Sequence, residues 1–152
     1  MSDMSDEGVG PEEGPALEAA RVRRVDLKHA MSALEVSAAG ASGDPSWSDA
    51  LRSALADLRV AFEAHVEEVE ASDGLLAEVM GDCPRLSSRV DRLRNEHVTL
   101  SEQIDACRAR LDDPDPPEIR SEVLDVMVAL ARHRHAGADL VYEAYNVDIG
   151  GP

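Results

Sequence analysis

Histidines stand at positions 29, 65, 97, 133 and 135 of the chain, and three of them keep the spacing of the apolar residues around them. Over 86–111 the positions 86, 90, 93, 97, 100, 104, 107 and 111 read Leu, Val, Leu, His, Leu, Ile, Cys and Leu. A four-three spacing puts all eight on one stripe of a helix, so His97 interrupts an apolar seam. Positions 119, 123, 126, 130, 133, 137, 140 and 144 repeat the pattern as Ile, Val, Val, Leu, His, Gly, Leu and Ala, with His133 in the same kind of place. Leu51, Leu55, Leu58, Phe62, His65, Val69, Ser72 and Leu76 do so again with His65. One histidine on such a stripe is ordinarily a hydrogen-bonded core residue. Neutral imidazoles converging from facing helices instead make a transition-metal site, since imidazole suits iron, copper and zinc.

The elements that must position these rings are set by turn chemistry. Gly, Ser, Asp and Pro gather in GASGDPSWSD at 40–49, where Ser46 or Ser48 can cap a following helix. The next break is GDCP at 81–84, with Asp82 placed to accept from backbone N–H groups and Pro84 suited to an early helical position. The last is DDPDPPE at 112–118, whose final Pro and Glu suit a first turn. Helices are therefore predicted over about 16–39, 46–80, 84–111 and 117–145, the second open to interruption at Ser72-Asp73-Gly74. Short loops between long helices predict an all-α, antiparallel up-down-up-down four-helix bundle over 16–146. Acidic, Gly- and Pro-rich residues 1–15 read as a disordered tail, and 147–152 as a short C-terminal tail.

Heights along the helices follow from the rise of about 1.5 Å per residue. His65 lies 16 residues before the GDCP break, and His97 lies 13 after it. His97 lies 15 before Asp112, and His133 lies 16 after Pro117, so the three share a level. His29 lies 11 before Gly40 and fits this level less well. Val22, Val25, Ala33 and Val36 share its face, whereas Leu27, Met31 and Leu34 lie opposite. His29 is a fourth inward ligand if the valine face is the buried one.

Composition narrows the partners. Acidic side chains number 31 against 15 basic ones, a net charge of -16 that repels phosphate backbones and anionic membranes. Nucleic acid and membrane are thus excluded as expected partners. Two cysteines without CxxC spacing, no signal-like start and no long apolar run predict a cytoplasmic protein. Cys107, on a helix seam, reads as an inert core thiol, and Cys83, in a turn, as exposed. Tyr142 and Tyr145 read as packing residues at a bundle end.

Four helices each carrying a histidine, in LKHAMSAL, FEAHVEEVE, PRLSSRVDRLRNEH and LARHRHAGADL, resemble the hemerythrin-like HHE cation-binding family over about 16–145. The resemblance implies a metal site at His29, His65, His97 and His133, with iron as the cofactor. It also implies a small diatomic or oxidant ligand, such as dioxygen or nitric oxide, bound or sensed rather than turned over. In that family a carboxylate four residues after the second and fourth helix histidines bridges two irons, and here those places hold Val69 and Gly137. A di-iron centre lacks its usual anionic bridges unless Glu68 turns inward or His135 replaces His133, bringing Asp139 to i+4. The same two positions motivate an alternative, a metal-free bundle serving as a protein-interaction module. A third reading, a peroxide-consuming enzyme, needs an open coordination position and a supply of electrons.

Overall fold

A computed structural model describes residues 14–112 and 115–149, and among them every regular element is helical. Helix α1 spans Pro15–Ala39, α2 Trp47–Glu70, α3 Leu75–Asp82, α4 Ser87–Arg110 and α5 Pro116–Tyr145, with a 3-10 turn at Pro84–Leu86 before α4. The predicted tail over 1–13 and the last residues, 150–152, lie outside the described part, whereas Pro15 already opens α1.

The predicted second helix is two helices. At Ala71 the backbone leaves helical geometry, and the Gly74 N–H returns to the Ala71 carbonyl at 2.8 Å. Gly74 has an ordinary φ of -85°, so freedom of backbone angle does not explain it. Space does: a Cβ there would collide with the Glu68 carbonyl and would meet those of Val69 and Ala71 at 2.9 and 3.0 Å. Ser46 makes no side-chain cap to α2 and bonds instead to the Asp44 carboxylate at 2.8 Å. Asp82 accepts from the Tyr145 hydroxyl at 3.1 Å, tying the end of α3 to the end of α5.

The apolar stripes fold inward as their spacing predicts. All eight positions of the 86–111 stripe are buried, as are Ile119, Val123, Val126, Leu130, His133 and Leu140 of α5. Helix α1 resolves its two candidate faces the other way from the metal-site expectation. Leu17, Ala20, Leu27, Met31 and Leu34 are buried, and Val22, Val25 and Val36 are 50%, 49% and 75% exposed. The larger leucine and methionine side chains remove more apolar area from water than the valines opposite, which decides the rotation.

The core divides into two clusters. One joins Leu27, Leu34, Leu55, Phe62, Ile104 and Leu130 among others, and the second joins Ala20, Val69, Leu76, Val90, Leu93 and Leu140. Ile149 of the predicted tail packs into the second cluster and is only 5% exposed. Several side chains tie the helices by their ends. Arg120 donates to the Ala38 and Gly40 carbonyls at 3.1 and 2.6 Å, and Arg52 to the Leu111 carbonyl at 3.2 Å. The Arg110 guanidinium meets Glu118 at 2.8 Å and Glu122 at 3.0 Å. No helix among the described residues is long and apolar enough to cross a membrane.

Candidate metal centre

Between the two core clusters the side chains of His65 on α2, His97 on α4 and His133 on α5 meet. Each offers a ring nitrogen, and the three nitrogens lie within 4.8 Å of one another. Ring centroids are 4.7 Å apart for His97 and His133, 5.3 Å for His65 and His97, and 5.7 Å for His65 and His133. Phe62, one turn before His65, forms a floor about equally distant from all three, at 6.0, 6.0 and 6.2 Å. A metal–nitrogen distance of about 2.0–2.1 Å requires ring nitrogens roughly 3.4 Å apart, so the triad has to draw closer than it stands to bond one ion.

Two of the rings are oriented by carboxylates. His97 Nδ1 pairs with Glu70 at 3.0 Å, and His133 Nδ1 pairs with Glu96 at 2.8 Å. Each time a glutamate on one helix serves the histidine of the next. An ionised carboxylate accepts from Nδ1–H, which fixes the tautomer and leaves Nε2 as a bare lone pair. Carboxylates standing behind histidine ligands in this way raise their basicity. His65 has no such support: both ring nitrogens are shielded from solvent without a hydrogen-bond partner, although the residue as a whole is only half-buried.

Burial keeps all three rings neutral, the form that binds metals. Loss of solvent pushes His65 down to about 3, with the neighbouring His97, His133, Arg24 and Arg134 adding to the effect. His97 and His133 are lowered by burial too, against the opposing pull of Glu70 and Glu96.

The remaining candidates from the sequence are not brought together with the triad. His29 is exposed on the outer face of α1, because the leucine face of that helix turned inward. His135 and Asp139 are exposed on α5, so the exchange of His135 for His133 does not occur. Glu68 faces a pocket beside Ala16, Ala19 and Asp73 near the start of α1, away from the triad. The chain matches no family model, no curated protein and no solved structure.

What α1 contributes at this level is Arg24. Its stripe runs 17, 20, 24, 27, 31 and 34 at four-three spacing, and Arg24 occupies the place between Ala20 and Leu27. Arg24 lies 16 residues before Gly40, the same offset that His65 keeps from its own break. That arithmetic was present in the sequence, but it points to arginine where a histidine was sought. Glu70 and Glu96 were likewise missed, although both stand inside the quoted phrases FEAHVEEVE and NEH. Beside the triad lies a cavity of about 50 Å³ whose lining includes Val69 and Gly137. A Cβ on Gly137 would meet nothing within 4 Å. The two positions without carboxylates are thus the places where space opens.

The cysteines lie outside this site. Cys107 is a core thiol, only 1% exposed, and burial pushes its pKa up to about 11. Cys83 is half-buried rather than exposed, its thiol directed at the Ala144 carbonyl 3.7 Å away.

Proposed function

We propose that the protein is an antiparallel, up-down-up-down bundle of hemerythrin-like type that holds one divalent transition-metal ion, iron foremost, on His65, His97 and His133. In this reading a remaining coordination position takes a small oxygen- or nitrogen-based ligand such as dioxygen, nitric oxide or a related oxidant. The observation that carries it is the convergence of three neutral imidazoles, two of them backed by Glu70 and Glu96. The topology is supported by end-to-start contacts. Arg120 near the start of α5 reaches the end of α1, and Arg52 near the start of α2 reaches the end of α4.

One ion suits this donor set better than two. Two divalent cations in a low-dielectric core need anionic bridging ligands. Among the described residues, the only group that clusters as metal ligands consists of three neutral rings. Three protein ligands leave a position open, which is the arrangement of sites that bind an exchangeable ligand. Free thiols at Cys83 and Cys107 support residence in a reducing compartment, the cytoplasm.

Elemental analysis after anaerobic loading with iron(II) and gel filtration tests the reading, with a His65→Ala/His97→Ala double variant alongside. The expected result is about one ion per chain, lost in the variant. Two irons per chain with an oxo-bridge absorption band would refute the single-ion site. No retained metal in a folded protein would refute the metal site itself and favour the interaction module.

A further inference from the structure

After α5 the chain turns back on itself. At Asn146 the backbone takes a left-handed φ of 56°, alone among the described non-glycine residues, and its N–H closes the helix onto the Tyr142 carbonyl at 2.7 Å. Asparagine is one of the few side chains that tolerate this geometry, which ends a helix and redirects the chain. Three residues further on, Ile149 is buried in the second core cluster and lines the cavity beside the triad, together with Gly137, Leu140 and Val141 of α5. An extended chain gains at most about 3.3–3.6 Å per residue, so three residues reach about 10–11 Å, the rise of roughly seven residues of helix. Laid back along α5 from Asn146, that reach brings Ile149 level with about position 139, among the three α5 residues that share its cavity. On the other side of the triad Phe62 and the first core cluster leave no such space.

Little holds the returning segment in place. Arg21 of α1 donates to the Asp148 carbonyl at 3.2 Å, Asp148 is among the charged neighbours of Arg24, and Val147 packs at the margin of the second cluster. Among the described residues no backbone–backbone hydrogen bond ties Val147 or Ile149 to a helix. A segment held by one buried side chain and a few exposed contacts opens locally, without unfolding the rest of the chain. We propose that residues 146–149 form a strap, with Asn146 as its hinge and Ile149 as its plug, that opens and shuts the cavity through which molecules reach the three imidazoles. The strap acts on access to these rings whether or not they hold a metal.

The test is the reactivity of individual histidines toward diethyl pyrocarbonate, which acylates neutral imidazole and is too large for a closed cavity of about 50 Å³. The full-length chain, stripped of metal by a chelator, is treated at neutral pH, and each rate is read by peptide mass spectrometry with the exposed His29 and His135 as internal references. Wild-type His65 is expected to react far more slowly than either reference. Ile149→Ala is expected to speed His65 roughly ten-fold to fifty-fold, from the apolar area the plug loses. Arg21→Gln, which loosens the anchor without altering the cavity, is expected to speed it roughly two-fold to ten-fold. Ile104→Ala, in the other core cluster, lowers stability without touching the strap and is expected to leave the His65 rate within about two-fold of wild type. Circular dichroism checks that each variant is folded. His65 as reactive as His29 in wild type, a rate unchanged in both strap variants, or an acceleration in Ile104→Ala equal to that in Ile149→Ala overturns the strap. Metal uptake plays no part in the readout, so failure of the three-histidine metal reading leaves these outcomes as they stand.

Discussion

Replacing His65 by leucine separates the demands of the candidate site from those of the fold. In the metal-free protein both nitrogens of this ring are shielded from water and unpartnered, and a buried polar group left so costs about 1–3 kcal/mol. Leucine is similar in volume and would sit beside Phe62 and Val69, so His65→Leu is expected to stabilise the metal-free protein at pH 7 by an amount in that range. Acid widens the difference. The folded-state pKa of His65 lies near 3, below the unfolded value of 6.5, so the unfolded chain takes up the proton first. The neutral ring's contribution is therefore present above pH 6.5 and is lost progressively as pH falls toward 3. Between pH 7 and pH 5 that loss amounts to about 2 kcal/mol for this one group. His97 and His133 contribute in the same direction, but equally in both proteins. Urea unfolding of metal-free wild type and His65→Leu at pH 7 and pH 5 measures both quantities. A variant less stable than wild type at pH 7, or a gap that does not grow on acidification, would refute the account of His65 as a residue kept at a cost to the fold.

Other expectations follow from the same geometry. Glu70→Gln and Glu96→Gln leave the ligands in place but remove the anions behind them, and each is expected to weaken metal affinity about 10–100-fold in a competition titration. His29→Ala and His135→Ala, both on exposed faces, are expected to leave metal stoichiometry and affinity unchanged, and a loss in either would relocate the site. Gly74→Ala pushes a methyl group into three backbone carbonyls and is expected to cost about 1–3 kcal/mol in thermal or urea unfolding. Ile104→Ala, fully buried in the first core cluster, should cost about 2–5 kcal/mol by the same measurement.

How much was legible beforehand differs between helices. The 86–111 stripe was readable throughout, because its large apolar residues other than Val98 occupy one face and the remaining faces are mostly polar. Helix α1 was ambiguous, since valines on one face and leucines on the other give similar patterns, and the larger area of the leucine face decides only once partner helices are there to cover it. His65, His97 and His133 were placed at one level by counting from the breaks, and the structure puts them there. His29 failed by the same count, 11 residues where its neighbours have 13 to 16, and the residue at the right count was Arg24. Glu70 and Glu96 were harder to anticipate because an acid at the margin of a stripe looks like surface. Its pairing depends on the neighbouring helix, which no single-helix pattern contains. The break at Gly74 was visible as turn chemistry, but its reason, close approach of backbone to backbone, is tertiary.

The two glutamate–histidine pairs also act as a key for alignment. Leucines and valines on a long stripe are nearly interchangeable, so an apolar seam alone tolerates one helix sliding past its neighbour by a turn, about 5.4 Å. Glu70 with His97 joins α2 to α4, and Glu96 with His133 joins α4 to α5, so either slide would strand a carboxylate and a buried ring without partners. A polar layer of this kind selects one vertical alignment out of several that apolar packing would accept, as a buried asparagine does in a coiled coil. Purely aliphatic replacement of the layer should therefore yield a chain that remains helical and compact while populating more than one alignment of α4.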